Sequence, residues 1–307
     1  MTDIFGIAQK FKASHFILNS NPMKNETINR RTAVKAYSLG MLGLSLPVIG
    51  MANTPKTDSW FSSAEIPEHF PNIAPEIISE VVGSSHFDLD KVKSLVDKRP
   101  ELSRSVWEWR FGDFESAIGA ASHVGRRDIA QYLLGKGARP TLFTFAMLGH
   151  YQVIKSAVEA APGIQEVAGP HGISLLDHAY AGERMKDSMT ASEIEQLEQT
   201  IAYLKNLGNA GGPTYIEVSP EEQQQYLGNY LYGKRENEGF TISVNMRKLL
   251  SLGPIGGFGG GLYKIGDNQF TYNGTPSVTI SFDIQENTVK SLTLTEPDIT
   301  ITAKKVS

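Results

Sequence analysis

The segment from Glu115 to Pro140, ESAIGAASHVGRRDIAQYLLGKGARP, decides how the first half of this chain folds. A short Ala-rich apolar run ends at Gly125. It is followed by Ile129, Tyr132 and Leu133 at the spacing that places side chains on one face of a helix. Gly137 suits the left-handed conformation that ends many helices. The segment therefore predicts two short helices joined by a glycine turn.

This pattern recurs, and paired helices are predicted for residues 73–208. Residues 141–164, TLFTFAMLGHYQVIKSAVEAAPGI, repeat the helix, glycine turn and helix. Small residues where the helices cross, followed by Leu-Leu-x-x-Gly-Ala at 133–138, resemble ankyrin repeats. The resemblance implies about four stacked repeats, two of them degenerate. The step from Ile129 to Val153 is shorter than the usual ankyrin period of about 33 residues. The projecting hairpin that normally joins two repeats must therefore be shortened or missing here.

The periodicity changes after a Gly/Pro-rich linker at residues 209–220. The runs 240–246, 278–284 and 299–303 alternate apolar and polar residues, which predicts strands with one buried face. Residues 221–307 are thus expected to form a small antiparallel sheet or half-barrel. The segment YLGNYLYG, with Tyr226, Gly228 and Tyr230, resembles the opening of the lipocalin-like domain appended to β-lactamase-type peptidases. The fold class expected is α+β multidomain, an ankyrin-type solenoid followed by this β-domain.

Residues 1–52 are predicted to be an export region. Arg30 and Arg31 precede a mildly apolar run that is too short and too broken by glycine and proline to span a membrane. The paired arginines and small residues before Ala52 resemble a twin-arginine signal with cleavage after Ala52. Because the signal lies inside the chain, translation is expected to start at Met23. Residues 53–72 would then open a mature periplasmic chain with no integral membrane span.

The amino-acid composition argues against several classes of function. The chain has no cysteine, which excludes disulfides, thiolate metal ligands and a cysteine nucleophile. Residues 53–307 carry 23 basic and 31 acidic side chains. This acidic balance argues against a nucleic-acid partner, because such partners are bound through clustered Lys and Arg.

The sequence motifs predict no catalytic residue, no metal site and no cofactor. Neither Ser-x-x-Lys nor Gly-x-Ser-x-Gly occurs, and the glycine-rich run 253–261 lacks the lysine of a phosphate loop. Ser174, Asp177 and His178 are triad residue types, but their places on one helix do not allow a triad. The seven histidines show no metal-ligand spacing, and His178 matches a structural histidine of ankyrin repeats.

The function predicted is a periplasmic, non-enzymatic module whose repeats bind an unidentified protein. Its contacts are expected at Trp107, Trp109, Arg110, Arg126, Phe143 and His150. The aromatic segment 105–114 can equally be a hydrophobic cap on the stack.

Two alternatives remain open. A lipocalin-like cup would bind an apolar or peptide ligand through Tyr230, Tyr232, Phe258 and Tyr263. An enzyme would use carboxylates such as Glu108 and Asp113.

Overall fold

The computed structural model describes residues 67–306, which belong to one compact unit. The predicted signal, with Met23, Arg30, Arg31 and Ala52, lies outside the described residues. The described part contains nine α-helices: α1 (Pro75–Ser84), α2 (Leu89–Lys98), α3 (Ala117–His123), α4 (Arg127–Gly135), α5 (Leu142–Leu148), α6 (Tyr151–Ala160), α7 (Leu175–Ala181), α8 (Ala191–Leu207) and α9 (Pro220–Tyr226). Short 3-10 turns cover Pro100–Arg104, Ile164–Glu166, Pro170–Gly172 and Gly182–Ser188.

Local sequence explains where these helices begin and end. Ser116 and Ser174 cap α3 and α7 by accepting a backbone N–H from the first turn. Thr190 caps α8 in a reciprocal capping box with Glu193. Gly149 ends α5 at a φ of 75°, where a side chain would also collide with Leu197 of α8.

The predicted ankyrin solenoid is wrong. In a solenoid each repeat contacts only its neighbours, but α3 contacts α7 as well as the intervening α5. The chain after α7 folds back onto the turn between α3 and α4. Arg184 there donates to the carbonyl of Val124, and a side chain at Gly125 would collide with the carbonyl of Ala181. These contacts between α3 and the chain after α7 are not those of an open stack.

The strands form a hairpin and a barrel. The hairpin pairs β1 (Val106–Glu108) with β2 (Phe114–Ser116). The barrel contains β3 (Gly228–Leu231), β4 (Gly239–Val244), β5 (Leu250–Pro254), β6 (Gly260–Gly266), β7 (Gln269–Tyr272), β8 (Thr279–Gln285), β9 (Thr288–Glu296) and β10 (Ile299–Lys305). Each strand pairs antiparallel with the next, and β10 returns to pair with β3.

The predicted half-barrel is therefore a closed eight-stranded barrel, an architecture that fits a lipocalin-like domain. Closure through Lys304 opposite Leu231 removes the free strand edges that an open sheet would expose. Buried aliphatic and aromatic side chains fill the interior, as expected for a barrel of this strand number. Tyr226 of α9 is part of this core. The centroid of its ring lies 4.6 Å from that of Phe282 and 5.3 Å from that of Phe270.

The barrel packs directly on the helical half. Phe111, in the β1–β2 loop, lies against the barrel core with its ring 5.0 Å from that of Tyr272. Tyr263 of β6 donates to the carbonyl of His171 at 3.0 Å. The predicted linker also contacts both halves, since Ala210 accepts a backbone hydrogen bond from Leu176 and Ile216 pairs with Lys264. Within residues 67–306, none of the helices has the length and apolar character needed to cross a membrane.

Candidate metal centre

Four side chains from separate parts of the helical half converge on one point. They are His86, which follows α1, Glu115 of β2, His123 at the end of α3, and His171 in the 3-10 turn before α7. Each offers one potential ligand atom, and these atoms all lie within 4.8 Å of one another. We call these four residues the histidine–glutamate cluster.

The hairpin and its neighbouring helix place Glu115 and His123. Alternation along β2 turns Glu115 inward to full burial while Phe114 remains exposed. Helix α3, AIGAASH, is lined with Ala and Gly, so it packs closely enough for its last residue, His123, to reach Glu115. The Nε2 atom of His123 lies 3.0 Å from Oε1 of Glu115.

His86 and His171 approach the same carboxylate from other sides. The Nε2 atom of His86 lies 3.4 Å from Oε2 of Glu115, and that of His171 lies 3.4 Å from Oε1. For ligand atoms about 2.1 Å from an ion, neighbouring ligands lie about 3.4 Å apart in a tetrahedron and about 3.0 Å apart in an octahedron. The three histidine–glutamate separations, two to Oε1 and one to Oε2 of Glu115, fall at the edge lengths of such a coordination sphere.

The close approach of His123 to Glu115 is at ion-pair distance but lacks the geometry of a hydrogen bond. Among residues 67–306, neither Nε2 of His123 nor Oε1 of Glu115 has a hydrogen-bond partner, although both atoms are buried. Buried polar atoms without a partner are destabilising and rare in folded proteins. A cation between the two atoms would satisfy both at once.

The atoms that face away from the centre are held by hydrogen bonds. Nδ1 of His86 lies 2.9 Å from the carbonyl of Gly83, and Nδ1 of His171 lies 2.7 Å from Oδ2 of Asp113. The indole N–H of Trp109 donates to Oε2 of Glu115 at 2.7 Å. Metal-ligating histidines usually donate their second ring N–H to a carbonyl or carboxylate, which fixes the ring and directs the other nitrogen at the ion. His86 and His171 show this arrangement.

The charges in the cluster also suit a cation. Burial opposes the charge on Glu115, but the approach of His123 and His171 outweighs burial and lowers the pKa of Glu115 below its usual range. Burial lowers the pKa of His123 in spite of Glu115. Burial alone would lower the pKa of His171, but Asp113 and Glu115 raise it to about 9. An ion entering the cluster would therefore replace a proton on His171.

Comparisons with protein-family models, with curated proteins and with solved structures found no match for this chain. The chemistry of the cluster therefore rests on its geometry alone. What the cluster offers is three imidazole nitrogens and one carboxylate, held by residues that fix their orientation.

Two of the residues predicted to bind a protein partner lie beside the cluster. Trp109 packs on the helical core and binds Glu115, while Trp107 pairs with Glu115 across the hairpin. Arg110 donates to the backbone of Phe258 in the barrel at 3.0 Å. The aromatic segment is thus partly covered by this chain's own barrel.

The other predicted contact residues are scattered. Arg126 pairs with Asp128 at 2.6 Å and with the carbonyl of Phe87, and His150 is exposed beside Phe145. Phe143 is half-buried, with its ring 4.7 Å from that of His178. Protein binding through these residues stays a prediction.

The residues predicted for a ligand cup lie in different environments. Tyr230 is fully buried in the barrel core, whereas Tyr232 and Phe258 are exposed. Tyr263 is buried outside the core cluster and lines a cavity of about 630 Å³ beside β5 and β6. The four rings do not surround a common cup, and ligand binding through them stays a prediction.

The carboxylate pair considered for an enzyme does not act together in this structure. Glu108 is exposed and accepts the backbone N–H of Gly112 at 2.9 Å. Asp113 is buried and bound to His171 and Asn273. Its role is to hold a ring of the histidine–glutamate cluster.

No sequence motif points to the histidine–glutamate cluster, since its members span positions 86 to 171 and share no spacing. One local signal was present. Asp113 and Glu115 are two positions apart where a short strand begins, so both carboxylates point to the same inward face, next to an apolar helix that ends in His123. Buried acidic residues require charged or hydrogen-bonding partners. The histidines of the chain were candidates for that role.

Proposed function

We propose that this protein binds one divalent transition-metal ion through His86, Glu115, His123 and His171. The observation that carries the proposal is the 3.0 Å approach of two buried, unpartnered atoms, Nε2 of His123 and Oε1 of Glu115. Two more imidazole nitrogens point at the same carboxylate. Imidazole with carboxylate suits zinc, iron, nickel or copper better than calcium or magnesium, which prefer oxygen ligands alone.

The first test measures metal uptake. The chain, stripped with a chelator, is incubated with Zn²⁺, Co²⁺, Ni²⁺ or Mn²⁺, desalted and analysed for metal by mass spectrometry. One ion per chain is expected. His123→Phe keeps an aromatic ring but removes the ligand nitrogen, so we expect it to lower affinity at least about 100-fold, beyond the effect of losing a supporting hydrogen bond.

His69→Ala is the matched control, because His69 is an exposed histidine outside the cluster. Circular dichroism establishes that both variants are folded. Absence of uptake of all four ions by the parent chain, or equal uptake by the parent chain and the His123 variant, would show that the cluster is not a metal site.

The predicted protein partner and periplasmic location do not depend on this proposal. Both stay predictions, and the partner prediction no longer has a solenoid groove to support it. Pull-down of the mature chain from a periplasmic extract remains the experiment for the partner. The loss of a captured protein after chelation would connect the two functions.

A further inference from the structure

The wall of the barrel opens between β5 and β6. The two strands pair only at Ser251 and Leu252 of β5. Beyond these pairs, residues 248–250 and 262–264 border a cavity of about 630 Å³. Residues 215–220 of the linker line the same cavity. The cavity therefore lies where the barrel and the linker meet.

A partly buried ion pair forms part of the cavity wall. Nζ of Lys264 lies 2.6 Å from Oε1 of Glu222 in α9, and both residues line the cavity. Lys264 lies on the same face of β6 as Leu262 of the barrel core, and its side chain is only 13% exposed. The hydroxyl of Tyr226 also donates to Oε1 of Glu222, at 3.3 Å. The charges of this pair are thus held at the end of the barrel interior.

Both members of the ion pair have unused hydrogen-bonding capacity. An ammonium group has three N–H donors, and within residues 67–306 that of Lys264 uses one of them, towards Glu222. Oε1 of Glu222 accepts from Lys264 and Tyr226, whereas Oε2 accepts from none of the described residues. Charged groups removed from water are stable only when their remaining donors and acceptors are satisfied. The pair therefore favours a ligand that brings both an acceptor and a donor.

The rest of the wall combines apolar residues with balanced charges. Lys248 and Glu217 line the cavity and carry opposite charges, and Ile216, Val218 and Leu249 supply apolar surface. The volume of the cavity falls in the range of small-molecule sites. An ion of one sign would meet as many like charges as opposite charges here. A molecule that carries both signs would find a partner for each.

We propose that this cavity binds a free α-amino acid with an apolar side chain. Its carboxylate accepts from Lys264, its ammonium group donates to Oε2 of Glu222, and its side chain contacts the apolar part of the wall. Both charges of an α-amino acid are attached to one carbon atom, which suits an ion pair whose own atoms are 2.6 Å apart. The charged termini of a peptide are separated by at least one further residue. This site is separate from the proposed metal site and goes beyond the proposed function.

Calorimetric titration of the full chain with L-leucine and its analogues tests the proposal. Isocaproate lacks the ammonium group, isopentylamine lacks the carboxylate, and glycine lacks the apolar side chain. We expect one L-leucine to bind per chain. Isocaproate and isopentylamine should bind about 10- to 100-fold more weakly, the effect of losing a hydrogen bond to a charged group. Glycine should also bind more weakly than L-leucine.

Variants of the chain locate the site. The double variant Glu222→Gln/Lys264→Met removes both charges together, so that neither is left unpaired, and it should bind L-leucine as weakly as the parent chain binds isocaproate. Lys155→Met/Glu159→Gln is the matched control, because it removes an ion pair of α6 outside the cavity and should leave the affinity unchanged. Ile216→Ala trims an exposed side chain and keeps the Lys264–Glu222 pair, so it should weaken L-leucine about fivefold and leave glycine unchanged.

Each outcome supports or overturns the proposal. Circular dichroism establishes that the variants are folded, and the Ile216 variant keeps the test decisive if the double variant does not fold. Absence of binding of both L-leucine and L-phenylalanine overturns the proposal. Equal affinity for L-leucine and either singly charged analogue, or an unchanged affinity in the double variant, overturns it as well. None of these measurements involves a metal ion, so their failure would leave the proposed function untouched.

Discussion

Asp113 supports His171 in two ways. Its Oδ1 accepts the backbone N–H of His171 at 2.9 Å, and its Oδ2 lies 2.7 Å from the ring Nδ1. His171 has a φ of 59°, a left-handed conformation that costs a non-glycine residue roughly 1–3 kcal/mol and persists only where the surroundings enforce it. The strained backbone conformation therefore occurs at the residue whose ring faces Glu115.

The residue-scale prediction concerns this aspartate. Asp113→Asn replaces a carboxylate by an amide whose N–H₂ group cannot accept from His171, so the ring loses its fixed orientation. We expect metal affinity to fall about 10- to 100-fold in a competition titration with a coloured chelator. Asp97→Asn is the control, because Asp97 is an exposed carboxylate that binds Tyr132 and Lys136 outside the cluster. Equal affinity in the two variants would refute the supporting role.

At the scale of elements, one carboxylate links helix α8 to helices α4 and α5. Glu193 in its first turn accepts the backbone N–H of Thr190 at 2.8 Å and pairs with Arg127 of α4 at 2.7 Å. Arg127 also donates to the carbonyl of Leu148, where α5 ends. One carboxylate therefore caps α8 and links α4, α5 and α8.

The element-scale prediction is that Glu193→Gln lowers the free energy of unfolding by about 1–2 kcal/mol at pH 7, from a weakened cap and a lost ion pair. The backbone of Thr190, Arg127 and the Thr190 hydroxyl lower the pKa of Glu193 from 4.5 to about 2. Because folding lowers this pKa, the carboxylate stabilises the fold above pH 4.5, and its contribution is lost as the pH falls towards 2.

Urea unfolding of both chains between about pH 7 and pH 2.5 tests this dependence. The difference between parent and variant should shrink across the acid range. Glu195→Gln, on the same helix and bound only to Gln199 among the described residues, should show little difference at any pH. A constant difference for Glu193→Gln at every pH would mean that its charge is not the stabilising feature.

At the scale of the whole molecule, the barrel helps to build the cluster. Asn273, which follows β7, donates to Asp113 at 2.7 Å, and Tyr263 donates to the carbonyl of His171. One of these hydrogen bonds is made to His171, a proposed metal ligand, and the other to Asp113, which holds the His171 ring. The barrel and the helices should therefore respond together when an ion binds.

At this scale we predict a single unfolding transition in calorimetry, and we expect its Tm to rise when zinc is added. A ligand at about 100 times its Kd stabilises the folded state by about 2.7 kcal/mol. Mg²⁺ at the same concentration is the control and should leave the Tm unchanged, because it binds imidazole poorly. Two transitions, of which only one responds to zinc, would show that the halves unfold independently.

Much of the local structure could be predicted from the sequence. The alternating run 240–246 overlaps β4, although Val244 and Met246 of its expected buried face are exposed, and the run 278–284 overlaps β8. The glycine turn at Gly125 also separates two helices as expected. These features follow from periodicity and backbone freedom within a few residues, which the sequence shows directly.

The cluster could not be predicted in this way. His86, Glu115, His123 and His171 lie on four separate elements, and no spacing along the chain relates them. The same holds for Asn273, which is 160 positions from its partner Asp113. Their meeting depends on how α1, α3, the hairpin and the barrel pack.

By itself, the sequence determined the short paired helices before residue 208 and the strands after residue 228, because these depend on local apolar patterns; it did not predict the β1–β2 hairpin or helix α9. Only the tertiary structure decided that α7 folds back on α3, that the barrel closes, and that three imidazoles surround Glu115. The physical reason is that a coordination sphere is a set of distances in space. Contacts between residues far apart in the chain are selected by the packing of the whole core.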